Sequence, residues 1–186
     1  MTPAILVGGI GNIFLGDDGF GVEVAQRLAQ GLLPPDVRVV DFGIRGFDLA
    51  FALLDDYRAI ILIDAVPRGG TPGTLYTIEP DWTALDDLDA AVEMHGMNPA
   101  KVLAMVKSMG GQPKRILIVG CEPSPMLQEN EERIGFSEAV EQAVDKAVTI
   151  VQKLVRTLEG EKSERILESS SDSAGNRGRG HHVAGH

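Results

Sequence analysis

The chain has 186 residues, 44% of them hydrophobic, with a formal net charge of −10 and one cysteine. That length suits one domain with a single sizeable core. The acidity disfavours nucleic acid and anionic membrane surfaces as partners, and Cys121 alone excludes an internal disulfide framework.

The opening "MTPAILVGG" lacks the basic segment and long apolar stretch of a secretory signal, and no apolar run reaches the roughly 20 residues that span a bilayer. A cytoplasmic protein that does not enter membranes is expected.

The elements follow in chain order. The apolar run Ala4–Val7 reads as a strand, and "GGIGNIFLGDDGFG" (Gly8 to Gly21) follows it as a glycine-rich loop. A helix starting near Gly19 places Phe20, Val24, Leu28 and Leu32 on one face. Val37–Val40 and Ala59–Ile63 are further apolar, β-branched runs, ending at Asp41 and Asp64. Thr74–Ile78 comes after the short connection "AVPRGGTPG", too short for a helical crossover, so this strand is expected to be antiparallel and at an edge. Asn98-Pro99 opens a helix with a cap and a first-turn proline, followed by the stripe Val102, Leu103, Val106 and Met109. Arg115–Val119 leads to Cys121 and Glu122. The last helix begins near Ser137 and lines up Val140, Val144, Val148, Val151, Val155 and Leu158.

Most of the strand runs lack alternation, the pattern of strands covered on both faces. The element order therefore predicts a three-layer α/β/α sandwich around a mostly parallel, twisted sheet of about five strands, with one antiparallel edge strand. Residues 1–159 form the predicted domain. Residues 160–186 are rich in Ser, Gly and charge, and read as a disordered tail whose His181, His182 and His186 are solvated.

The glycine loop matches half of a dinucleotide fingerprint, but Phe14 occupies the position of the third glycine. Asp17 and Asp18 would face a pyrophosphate at the helix N-terminus with the wrong charge. Either acid could instead cap the helix, a role worth about 1 kcal/mol. Gly19 and Gly21 weaken the first helical turn by roughly 1 kcal/mol each, so they are expected to make room for something approaching the backbone.

The carboxyl ends of parallel strands form the rim where ligands bind in such sheets. Asp64 ends a buried strand there and needs a partner, either a cation or the backbone N–H groups of the "AVPRGG" turn. His95, in "EMHGMNPAKVL", precedes a helix and falls on the same rim. Asp18, Asp64 and His95 could thus converge as ligands for a divalent transition metal, leaving coordination positions open. Cys121 offers a competing thiol chemistry or a small buried side chain.

The segments "ILVGGIGNIFLGDDGFGVEVA", "VVDFGIRGFDLAFALLDDY", "AIILIDAV", "MHGMNPAKVLAM" and "ILIVGCEP" together resemble the [NiFe]-hydrogenase maturation endopeptidases, in order over about residues 4–158. The resemblance implies an enzyme that removes a C-terminal extension from a hydrogenase large-subunit precursor after nickel insertion. The nickel, carried by the precursor, serves as the recognition element. The metal-binding, catalytic positions fall on Asp18, Asp64 and His95, and Asp41 lies in a segment placed beside the site. Asp stands at the first position where the family uses Glu or Asp, which brings the metal closer to the loop. Nickel could polarise the scissile carbonyl or activate a water, or only position the tail for a carboxylate base. A monomer is expected. The alternative is a nickel-binding chaperone that holds the precursor without cutting it. No HExxH motif points to a self-contained zinc protease.

Overall fold

The computed structural model describes residues 4–80, 99–125 and 135–175. Among them run five strands and four α-helices: β1 (Ile5–Ile10), α1 (Phe20–Gln30), β2 (Val37–Gly43), α2 (Gly46–Leu53), β3 (Ala59–Ala65), β4 (Leu75–Ile78), α3 (Pro99–Ser108), β5 (Ile116–Cys121) and α4 (Glu138–Gly175). A 3-10 turn, Gly16–Gly19, precedes α1. None of the helices is long and apolar enough to cross a membrane.

The strands form one sheet in the order β2-β1-β3-β5-β4. All neighbours are parallel except β4, which pairs antiparallel with β5 at the edge. This is the expected architecture. The short β3–β4 connection forces the reversal, because a parallel return needs a long crossover.

Alternation of side chains across the strands divides the interior in two. Leu6, Ile60, Leu62 and Ile116 join Leu49, Leu53, Leu103 and Val106 of α2 and α3 in one buried cluster. Ile5, Val7, Ile61, Ile63 and Val119 are buried on the opposite face. There α1 packs against β1, β2 and β3, and Arg27 of α1 reaches Asp145 of α4 at 2.6 Å.

Several boundaries differ from the expected ones. β1 continues through Gly8 and Gly9 to Ile10, so these glycines belong to the strand and the loop begins at Gly11. Asp41 and Asp64 lie within their strands, and Cys121 is the last residue of β5. α1 stops at Gln30, where Gly31 is extended, leaving Leu32 100% exposed instead of on the core stripe. Met109 falls just past α3 and is 44% exposed. Asn98 lies outside the described residues, and Pro99 is the first residue of α3. Ser137 caps α4 as expected: its hydroxyl accepts the Val140 N–H at 3.4 Å.

The chain divides into two compact units, residues 1–152 and 153–186. The second is helical as far as Gly175, in contrast to the disorder expected from residue 160. The stretch "KLVRTLEGEKSERILE" is dense in Leu, Lys, Arg and Glu, strong helix formers that outweigh the single Gly160. His181, His182 and His186 lie outside the described residues.

The glycines of the first loop have a different purpose from the one expected. A Cβ on Gly21 would collide with the carbonyl oxygens of Ile63 and Ile10, and one on Gly9 with the carbonyl of Gly21. The room is therefore filled by the chain itself: α1 begins pressed onto the ends of β1 and β3, backbone against backbone. Gly21→Ala is expected to destabilise the protein by about 1–3 kcal/mol through overpacking. Gly160→Ala, where a Cβ meets nothing within 4 Å, should instead stabilise by up to about 1 kcal/mol. Urea titration of the two variants checks both signs.

Candidate active site

The loop from Gly11 to Gly19 is closed by its own hydrogen bonds. Leu15 N donates to Asn12 O (3.0 Å), Asp18 N to Leu15 O (3.2 Å) and Phe14 N to the Asn12 side chain (3.0 Å). Gly11 has φ +131°, and a Cβ there would strike the Asp18 carbonyl oxygen. The folded loop brings the half-buried Asp18 carboxylate back over the end of β1, where Oδ2 accepts the Asn12 N–H at 2.7 Å. Neither the 3-10 turn nor α1 has a side-chain cap, so neither acid caps the helix. Gly11 N also donates to Gly43 O (3.1 Å), joining this loop to the end of β2.

Asp64 stands on β3, paired in register with Gly120 of β5, and is only 5% exposed. Its Oδ1 accepts one backbone bond, from its neighbour Ala65 (2.9 Å). Burial pushes its pKa well above the usual carboxylate range, the Asp18 charge pushes it further, and the Ala65 bond opposes both. Asp18 is also raised, by burial against the Asn12 bond. The structure thus brings two of the three expected ligands together, in the 3-10 turn packed against β3. An acid whose pKa is raised by the charge of another is eased by a cation placed near both. Two partly desolvated carboxylates with few donors are a fitting oxygen set for a divalent metal. Among the described residues no third His, Cys, Asp or Glu completes a metal-binding group. His95 lies outside the described residues.

The remaining acids are engaged elsewhere. Glu122, directly after β5, is buried, and the turn after Asp64 wraps around it. The backbone N–H groups of Arg68 (3.0 and 2.9 Å) and Gly69 (3.0 Å) and the Tyr76 hydroxyl (2.8 Å) all donate to its carboxylate. Of the "AVPRGG" turn, Ala65 donates to Asp64, while Arg68 and Gly69 donate to Glu122. Burial pushes the Glu122 pKa up, but the Tyr76 hydroxyl and the N–H groups of Arg68, Gly70 and Gly69 outweigh it and hold it below the usual value. Asp41 accepts from Gln26 Nε2 (3.1 Å), its carbonyl accepts from Arg45, and it stands on β2 across from Gly9.

Cys121 is fully buried. Burial, followed by the charges of Asp17 and Glu122, pushes its thiol up to about 12, so it is a neutral packing group and the thiol-hydrolase alternative has no nucleophile.

Sequence reasoning missed the part played by Asp17. Its Oδ1 accepts Ser137 N (2.6 Å), and its Oδ2 accepts Ser137 Oγ (2.9 Å) and Ser124 N (2.9 Å). These partners lie 107 and 120 residues further along, and no local pattern signals them.

With this geometry in view, the comparison with known proteins is specific. The family model for HycI, hydrogenase maturation protease, matches residues 22–154. The chain belongs to the hydrogenase maturation protease family. It is 38% identical over 120 residues to the hydrogenase expression/formation protein HupD of Rhodobacter capsulatus, covering 64% of this chain and 57% of that one. The chain thus spans little more than half the length of that relative. It is 34% identical over 149 residues to a Methanocaldococcus jannaschii protein named for hydrogenase maturation, covering 79% and 93%. Among solved structures it is similar to the hydrogenase maturating endopeptidase HybD from Escherichia coli, with a TM-score of 0.69 and 29% identity over 84% of this chain and 93% of that one.

The Glu122 cage carries a pH-dependent prediction. A carboxylate whose folded pKa is depressed stabilises the fold above its ordinary pKa of 4.5, and that contribution is lost as the pH falls through the folded value. Glu122→Gln is therefore expected to melt a few degrees below the wild type at pH 7. The gap should close as the pH falls below about 4.5, read by thermal denaturation across that range.

Proposed function

We propose that this protein is an endopeptidase that removes the C-terminal extension of a [NiFe]-hydrogenase large-subunit precursor once nickel has been inserted, acting in the cytoplasm as a monomer. The observation that carries this reading is the pairing of Asp18 with Asp64 at the rim of a maturation-protease fold. A half-buried and a buried acid with few donors among the described residues suit a cation arriving with the substrate. They do not suit a nucleotide or another anion.

The surroundings fit a protein substrate. Ile13, Phe14 and Leu15 on the loop bearing Asp18, and Ile44 and Phe47 after β2, are all exposed, Phe14 by 77% and Phe47 by 69%. Exposed apolar side chains gathered beside a polar site mark a surface that another protein covers.

In this reading Asp18, Asp64 and His95 hold the nickel that the precursor carries, and the ion supplies Lewis-acid polarisation at the scissile bond. The residues of this chain orient the ion, and the raised carboxyl of Asp64 can take up a proton. Carboxylates compete with water for nickel less well than thiolates or a full imidazole set, so the free protein binds it weakly. Tight engagement needs the precursor's own ligands, which makes nickel insertion a condition for cutting.

Asp18→Ala, Asp64→Ala and His95→Ala are each expected to reduce processing of nickel-loaded precursor by at least about a hundredfold without loss of fold. Asp18→Glu should be the mildest replacement. Shortening of the large subunit on a gel is the readout. Efficient cutting of metal-free precursor in the presence of chelator would overturn the nickel-reading model. Nickel-dependent binding of the precursor without shortening would make the protein a chaperone.

The functional domain is assigned to residues 1–159. A chain ending at Gly160 should fold and process at the wild-type rate, measured side by side with the full chain. Loss of processing in that chain would bring residues 161–186 into the reaction.

A further inference from the structure

We propose that Asp17 is a positioning residue for the acid pair: its carboxylate fastens the loop that carries Asp18 to the strand beside the one that carries Asp64. The proposal rests on the reading of Asp18 and Asp64 as the working pair. It concerns a residue that contacts neither a ligand nor the reacting bond.

The geometry begins with the 3-10 turn. At about three residues per turn, consecutive side chains diverge by roughly 120°, so Asp17 and Asp18 point to different surroundings. Asp18 turns back to Asn12, in a turn packed against β3, the strand that bears Asp64. Asp17 turns to Ser124 and Ser137. Ser124 follows β5 directly after Glu122 and Pro123, and β5 places Gly120 in register with Asp64. Asp17 is also close enough to Cys121, the last residue of β5, for its charge to be felt there. The loop is held on one flank by Gly11 N to Gly43 O. On the flank toward β5, Asp17 is its side-chain tie.

The second attachment is equally specific. Ser137 gives Asp17 both its N–H and its hydroxyl, and the same oxygen receives Val140 N as the cap of α4. One carboxylate therefore joins the site loop, the exit of β5 and the start of α4. Both of its oxygens are engaged by donors, two of them backbone N–H groups that cannot reorient. An asparagine in its place would turn an NH₂ toward Ser124 N or Ser137 N, whichever way the amide is flipped. That pushes the loop away from β5, and with it Asp18 away from Asp64.

The test uses the full chain and nickel-loaded large-subunit precursor, with four proteins: wild type, Asp17→Asn, Ser137→Ala and Val151→Ala. Val151 is a buried residue of α4 outside the site and serves as the control for stability loss alone. Asp17→Asn is expected to lower kcat by about tenfold to a hundredfold with KM little changed, the signature of a misplaced reacting group. Val151→Ala should keep the wild-type kcat at a comparable loss of melting temperature. A wild-type kcat in folded Asp17→Asn, or a loss no larger than that of Val151→Ala, overturns the proposal.

If Asp17→Asn fails to fold, Ser137→Ala carries the test. It removes one bond of the clamp and should lower kcat severalfold, and a wild-type kcat there overturns the proposal. An independent readout is the exchange of the Asn12 amide proton, which is bonded to the Asp18 carboxylate. It should exchange faster in Asp17→Asn and unchanged in Val151→Ala. If no protein in the set cuts the precursor, the peptidase reading fails, and the Asn12 amide still decides whether Asp17 places Asp18.

Discussion

The whole site depends on the contact at which α1 begins. Gly21 lies directly against the carbonyls of Ile10 and Ile63, with Gly9 on its other side. No other residue type permits this approach. It draws the N-terminus of α1 down to the ends of β1 and β3, and the residues between Gly11 and Gly19 have to fold back over those ends. The compressed loop includes a 3-10 turn and a positive φ at Gly11, and it carries Asp18 to the side of the sheet where Asp64 stands. A looser packing of α1 would let the loop extend into solvent, and the two carboxylates would separate.

Adjacent strands solve the problem of a buried terminal acid in opposite ways. Glu122 after β5 is surrounded by donors and is kept ionised within the fold. Asp64 on β3 has one backbone donor and an acid for a neighbour. The same turn, leaving Asp64 and closing on Glu122, produces both outcomes. It gives the N–H groups of Arg68 and Gly69 to the structural acid and, among the described residues, only that of Ala65 to Asp64. A buried acid with so few donors among the described residues is a candidate functional position. The division repeats within the dipeptide Asp17-Asp18, one acid turned to the scaffold and one to the site.

The sheet was legible because its signals are local. Runs such as "AIILID" are continuous where both faces are covered, and the length of "AVPRGGTPG" alone decides that β4 runs antiparallel. That the loop bearing Asp18 would lie near the strand bearing Asp64 follows from the rule that strand ends and the loops after them share one rim, and the 3-10 turn does pack on β3. What escaped the sequence depends on contacts between distant segments. Gly21 reads as a weak helix residue until Ile63 is seen against it. The turn that was a candidate partner for Asp64 closes on Glu122, which lies more than fifty residues beyond it. Asp17 and Ser137 give no sign of each other. The end of α1 was misjudged for a simpler reason: periodicity carried the pattern to Leu32 across Gly31, where the backbone turns extended.

Cys121 has a consequence of a different kind. Thiolate is the soft donor that binds late transition metals most tightly, and a free one near the rim would be a trap. Here the sulfur is sealed inside β5 and held as a thiol by its surroundings, and the acids at the rim offer only oxygen. A rim without accessible sulfur grips a soft cation loosely and lets it go. With its sulfur out of reach, the chain is left with a rim whose described acids present only hard oxygen donors.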